Sequence, residues 1–123
     1  STRAQLISAS PGDMLVINED FSRPWRRTGV ALDRVGFAVD DRNRTDGIYY
    51  VQYNDPLAGQ NKEGFFTKMG LWSSDDDAEG MQYQIVLQAN GPSTNVTVNN
   101  AQGERDTTST GKRILTLLEE QLR

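Results

Sequence analysis

The chain opens on a small, polar stretch that Pro11-Gly12 closes, and the apolar run Met14-Leu15-Val16-Ile17 follows. A Pro-Gly pair punctuates turns, so residues 1–12 are expected as a linker into a first strand, with the folded domain over 13–123. The spacing then changes to threes and fours. Phe21, Trp25, Leu32 and Val35, with Thr28 and Ala31 between them, form one stripe of a predicted helix whose arginines face outward. Asp20 and Ser22 offer capping oxygens, Pro24 suits the first turn, and Gly36 suits a left-handed end. Gly29 inside this helix costs about 1 kcal/mol relative to Ala, so another backbone is expected to pass close by.

Beyond Gly36 the period drops to two. Phe37-Ala38-Val39 and Ile48 to Tyr53 are predicted as strands joined by the charged turn DDRNRTDG, with Tyr49, Val51 and Tyr53 on one face. Residues 55–80 are the least regular and read as an excursion carrying GFFTKMGLW. MQYQIVLQA alternates strictly and STNVTVNN returns after Gly91-Pro92, giving a half-buried antiparallel pair with Met81, Tyr83, Ile85, Leu87 and Ala89 inward, and Val96 and Val98 opposite. Thr107, Thr108 or Ser109 can cap a last helix with Ile114, Leu115, Leu118 and Leu122 as its stripe. The class is α+β, and the economical packing lays both helical stripes on the apolar face of one twisted antiparallel sheet.

Composition narrows the chemistry. The 123 residues suit one domain, and 13 basic against 17 acidic side chains leave a net charge of −4, which disfavours a polyanion; no nucleic acid partner is expected. With neither cysteine nor histidine, the commonest nucleophile, general base and transition-metal ligands are missing, so no catalytic residue, cofactor or metal is expected. No apolar stretch approaches the roughly 18–20 residues of a membrane span. The start, STRAQLISASPGD, lacks a signal-peptide core, as expected of a natively soluble chain or of a piece of a longer one.

Asp75, Asp77, Glu79 and Gly80 imitate the first half of a calcium loop, but position twelve is Val86, inside a strand, so a solvated acidic loop is the better reading. Asn43-Arg44-Thr45 and Asn95-Val96-Thr97 match a common glycosylation triplet and carry little weight. Trp25, Tyr49 and Tyr53 suit ordinary core more than a ligand cavity. Two patches are candidates for partner binding: Arg23, Arg26, Arg27, Arg42 and Arg44 on the helix and hairpin turn, and Phe65, Phe66, Met69 and Trp72 in the excursion. The competing reading makes the arginines a solvated surface among Asp33, Asp40, Asp41 and Asp46, and the excursion a cover for a sheet edge.

The stretch DMLVINEDFSRPWRRTGVALDRVGFAVDDRNRTDGIYYVQY, the pair YQIVLQANGPSTNVTVNNAQG and the final GKRILTLLEEQLR resemble the BamC (NlpB) lipoproteins, accessory subunits of the outer-membrane β-barrel assembly machinery of Gram-negative bacteria. Trp25, Ala31-Leu32, Gly36, Asp41, Arg44 and Gly47 carry most of that resemblance, which runs from about Asp13 to Arg123. It implies a helix-grip fold, most simply the C-terminal of two such domains, and a non-catalytic role with other barrel-assembly subunits as partners. It also implies an outer-membrane location on the periplasmic side, through a lipid anchor outside this segment. The alternative from another class is a helix-grip carrier of a small apolar ligand, which requires a cavity among Trp25, Tyr53, Leu87 and Leu118.

Overall fold

A computed structural model describes residues 3–8, 10–55 and 80–123. In chain order the elements are β1 (Ala4–Ile7), β2 (Met14–Ile17), α1 (Ser22–Arg34), β3 (Ala38–Asn43), β4 (Ile48–Gln52), β5 (Gln82–Asn90), β6 (Ser93–Asn100) and α2 (Ser109–Leu122). The strands form one antiparallel sheet in the order β1-β2-β6-β5-β4-β3. Alternation decides which face is covered: Tyr49, Val51, Ile85, Leu87, Val96, Val98, Leu15 and Ile17 are all buried and share the face that receives the helices.

The topology explains why two helices suffice. Strand β2 lies beside β6, so α1 carries the chain across the face to the far edge strand β3, and α2 returns after β6 against β1, β2 and β6. The helices touch each other and sit side by side on the same face. Ile114, Leu115, Leu118 and Leu122 are each at most 2% exposed, so the last helix buries the stripe its spacing predicts. Trp25, Tyr53, Leu87 and Leu118 are exposed by 6, 3, 2 and 0% and form close-packed core. None of the three hollows described below is lined by Tyr53, Leu87 or Leu118, which leaves the carrier reading without support.

Several local expectations need correction. The linker expected over 1–12 contains an edge strand: Ala4 pairs with Ile17 and Leu6 with Leu15, and Ala4 is fully buried. Four residues of weak alternation become a strand because β2 offers a ladder, a tertiary effect invisible to local pattern. Helix α1 has Phe21 as its N-cap, itself in a helical conformation and with no side-chain cap bond, rather than an Asp20 or Ser22 oxygen. Its entry is set by packing instead, with the Phe21 and Trp25 rings stacked at 5.7 Å. Thr108 is the N-cap of α2, but its hydroxyl donates to Asp106 Oδ1 at 2.6 Å instead of capping the helix. Met81 is 50% exposed and Ala89 is exposed as well, so of the row expected inward only the central Tyr83, Ile85 and Leu87 are buried, and its two ends are not.

Candidate functional site: an arginine-lined groove beside the first helix

Glu19 claims two of the five arginines singled out from the sequence. Its carboxylate, 16% exposed, meets Arg27 Nη1 at 3.0 Å, Arg23 Nε at 3.3 Å and Arg3 Nε at 3.8 Å. Arg27 also donates through Nη2 to the Leu122 carbonyl at 3.3 Å, where the last carbonyls of α2 lack helical partners. Arg23 and Arg27 therefore tie the start of α1 to the end of β2 and to α2. Both are thus paired within the chain, a distinction from their neighbours that sequence spacing alone did not make.

Arg26, Arg42 and Arg44 do come together. They border an open groove of about 350 Å³ whose other walls are Trp25, Gly29, Val30, Asp33 and Tyr49. All three are exposed, and none forms an ion pair among the described residues.

The floor of the groove is built by close approach. Tyr49 donates its hydroxyl hydrogen to the Trp25 carbonyl at 2.7 Å, and the two rings stack with centroids 4.1 Å apart. A Cβ on Gly29 would lie 2.7 Å from that hydroxyl, so the glycine makes room for a side chain rather than for the expected second backbone. A β-bulge shapes the other wall. Register shifts between Val39, opposite Val51, and Asp41, opposite Tyr50, so that Arg42 and not Asp41 stands opposite Tyr49. The Arg42 guanidinium lies 5.7 Å from the Tyr49 ring centroid. The turn carrying Arg44 is held by Asn43, whose Oδ1 accepts from Asp46 N at 3.1 Å and whose Nδ2 donates to Asp46 Oδ2 at 3.0 Å.

Burial pushes the Tyr49 phenol pKa up, against the opposing pull of Arg42 and Arg44. The phenol is thus a neutral donor at physiological pH, already committed to Trp25. What the groove offers is a set of guanidinium forks over an aromatic and apolar floor, suited to gripping carboxylates.

Two residues that sequence reasoning passed over belong here. Val30 is 47% exposed and Arg34 is exposed, and with Arg26 they form a row at spacing four along the outer side of α1. That spacing was the available signal. On the far flank of the row a second hollow, about 280 Å³, is lined by Arg26, Arg27, Val30, Ala31, Arg34, Gln121 and Leu122. A third, of about 310 Å³, lies at the start of α2, where Lys112 faces Asp13 and Asp106. Phe65, Phe66, Met69 and Trp72, like the carboxylates of Asp75 to Glu79, lie outside the described residues. Among the described residues no group of three His, Cys, Asp or Glu side chains gathers to hold a metal, and no helix is long and apolar enough to cross a membrane.

An antiparallel sheet clasped on one face by two adjoining helices, the second of them C-terminal, places the molecule among helix-grip domains. Within that class the chain belongs to the family described as the outer membrane protein assembly factor BamC-like C-terminal domain, whose sequence model matches residues 4–122. That match begins at β1, in keeping with its place in the sheet. Relatives named outer membrane protein assembly factor BamC are similar to it: one from Thiobacillus denitrificans is 41% identical over 125 residues, and one from Accumulibacter regalis is 40% identical over 125 residues. Each alignment takes in 98% of this chain but only 34% and 33% of the relative. A third, from Pseudoalteromonas atlantica, is 27% identical over 86 residues, covering 68% of this chain and 22% of the relative. The chain thus spans about a third of the length of the first two relatives.

Proposed function

We propose that the domain is a non-catalytic docking module of an accessory subunit of the outer-membrane protein assembly complex, and that it contacts other subunits through the face formed by α1 and the β3–β4 hairpin. The family match over residues 4–122 supports the assembly role, as do the relatives named outer membrane protein assembly factor BamC. The single observation that carries the surface is the convergence of Arg26, Arg42 and Arg44, without ion partners among the described residues, on one groove with an aromatic floor. Arginines are enriched at interface centres, where a few of them supply much of the binding energy. In this reading the lipid anchor and the contacts it serves belong to the rest of the parent lipoprotein, at the periplasmic side of the outer membrane.

The test is co-purification from membranes with the full parent lipoprotein. Arg26→Gln/Arg42→Gln/Arg44→Gln is expected to lower recovery of the other assembly subunits about tenfold, an effect in the range of a few charged interface contacts. Arg23→Gln, whose partner is the intramolecular Glu19, serves as the control and should leave recovery unchanged. Full recovery in the triple variant would refute the assignment of this face.

A further inference from the structure

We infer that the groove between α1 and the β3–β4 hairpin receives an acidic segment of a partner polypeptide, one carboxylate on Arg26 and one on the Arg42–Arg44 side, with an apolar side chain over Val30. This rests on the docking reading above and gives it a chemistry. Three guanidiniums face the groove against the single carboxylate of Asp33, in a chain whose net charge is −4. Such a local reversal of sign selects a discrete anionic element and repels an extended one, because a uniformly charged bilayer or nucleic acid meets the whole negative domain. A partner of mixed charge with a local acidic stretch meets attraction on both scales.

The geometry agrees with the charge. Arg42 rests against the Tyr49 ring, so its planar fork is held before any ligand arrives and less freedom is lost on binding. About 350 Å³ of open hollow accommodates a few side chains, which suits a peptide strand or one helix face. Val30, 47% exposed, belongs to this groove and to the hollow behind it, so it presents apolar surface between Arg26 and Arg34. All the cations of the site are arginines; carboxylates meet them through two parallel hydrogen bonds, which a lysine cannot supply.

The experiment uses the 123-residue chain with 15N-labelled arginine and follows the side-chain Nε–Hε resonances. The probes, at constant ionic strength, are the blocked tripeptide acetyl-Glu-Leu-Glu-amide, its Gln-Leu-Gln counterpart, and phosphatidylglycerol vesicles. We expect saturable shifts at Arg26, Arg42 and Arg44 with the Glu peptide alone, weakened about tenfold in Arg42→Lys, which keeps the charge but loses the fork. Equal shifts with the Gln peptide, a response no different from added salt, or arginine-dependent vesicle binding without peptide binding would each overturn the inference. The co-purification assay separates the two claims. Peptide binding with unaltered subunit recovery in the triple variant refutes the docking assignment and leaves the carboxylate site standing; lost recovery with no peptide binding does the reverse.

Discussion

The phenolic hydroxyl of Tyr49 sits directly against Gly29, the glycine within α1, and from there reaches the Trp25 carbonyl at 2.7 Å. This contact sets the distance between the helix and β4. Alanine at 29 would gain roughly 1 kcal/mol of helix propensity, yet its methyl carbon would lie 2.7 Å from a hydroxyl fixed by a buried ring. Crowding wins, and Gly29→Ala is expected to destabilise the domain by about 1–3 kcal/mol in urea denaturation. Tyr49→Phe removes the oxygen in question, so the double variant should be more stable than the sum of the singles by about 1 kcal/mol. A stabilising Gly29→Ala, or strict additivity, would contradict the close approach.

Gly47 poses a sharper constraint on the hairpin that carries Arg42 and Arg44. Its φ is +75°, and an added Cβ would run into the Leu87 carbonyl oxygen, a backbone atom with no rotamer to change. The same residues are joined by a 2.7 Å hydrogen bond from Leu87 N to the Gly47 carbonyl. Gly47→Ala should therefore cost about 3 kcal/mol or more, combining left-handed strain with displacement of the strand pair. Gly91 gives the comparison: φ is +59° but no atom lies within 4 Å of its Cβ position, so Gly91→Ala should cost only about 1 kcal/mol. Thermal melts of both variants check the contrast.

What periodicity alone conveys about this molecule is its core, because burial leaves a mark every second or every third and fourth residue. The stripe of α2, the inward Tyr49, Val51 and Tyr53, and the Gly36 cap all follow from local spacing. The site is less legible for physical reasons that can be named. A bulge between Val39 and Asp41 changes which side chain stands opposite Tyr49, and plain alternation through Asp40-Asp41-Arg42 puts an acid there instead of Arg42. Ion pairing also sorts equals: Arg23, Arg26 and Arg27 look alike in sequence, yet Glu19 takes two of them and leaves the third in the groove. Such choices depend on residues brought together by the sheet order, which no local window contains.

The Glu19 cluster makes that sorting measurable. Arg23 and Arg3 are 62% and 47% exposed, so solvent screens their attraction, while Arg27 is 25% exposed and also bonds Leu122. Double-mutant cycles should give a coupling of about 1 kcal/mol for Glu19→Gln with Arg27→Met, and less than about 0.5 kcal/mol for Glu19→Gln with Arg23→Met. Similar values for both pairs would show that the carboxylate does not discriminate between them.

Tyr53 is 3% exposed, and burial first, then the Asp55 charge, raises its pKa from the ordinary 10.0 to about 12; its hydroxyl donates to Asp55 Oδ2 at 3.3 Å. Between those two values the unfolded chain has lost this proton while the native state still binds it, so unfolding becomes easier as pH rises. The stabilisation is fully present below pH 10 and disappears as pH passes about 12, with a loss on the order of 2–3 kcal/mol from this residue. Burial also raises Tyr83 and Tyr49, which adds to the slope in the same direction. Urea midpoints taken from pH 9 upward should therefore fall steadily, and Tyr53→Phe, which cannot ionise, should flatten part of that fall while lowering stability at neutral pH by about 1 kcal/mol for the lost hydrogen bond. Phenolate absorbance at 295 nm supplies the independent check: in the native state Tyr53 should ionise only with or after the unfolding transition, whereas ionisation near pH 10 in folded protein would mean that the ring is not held in the core.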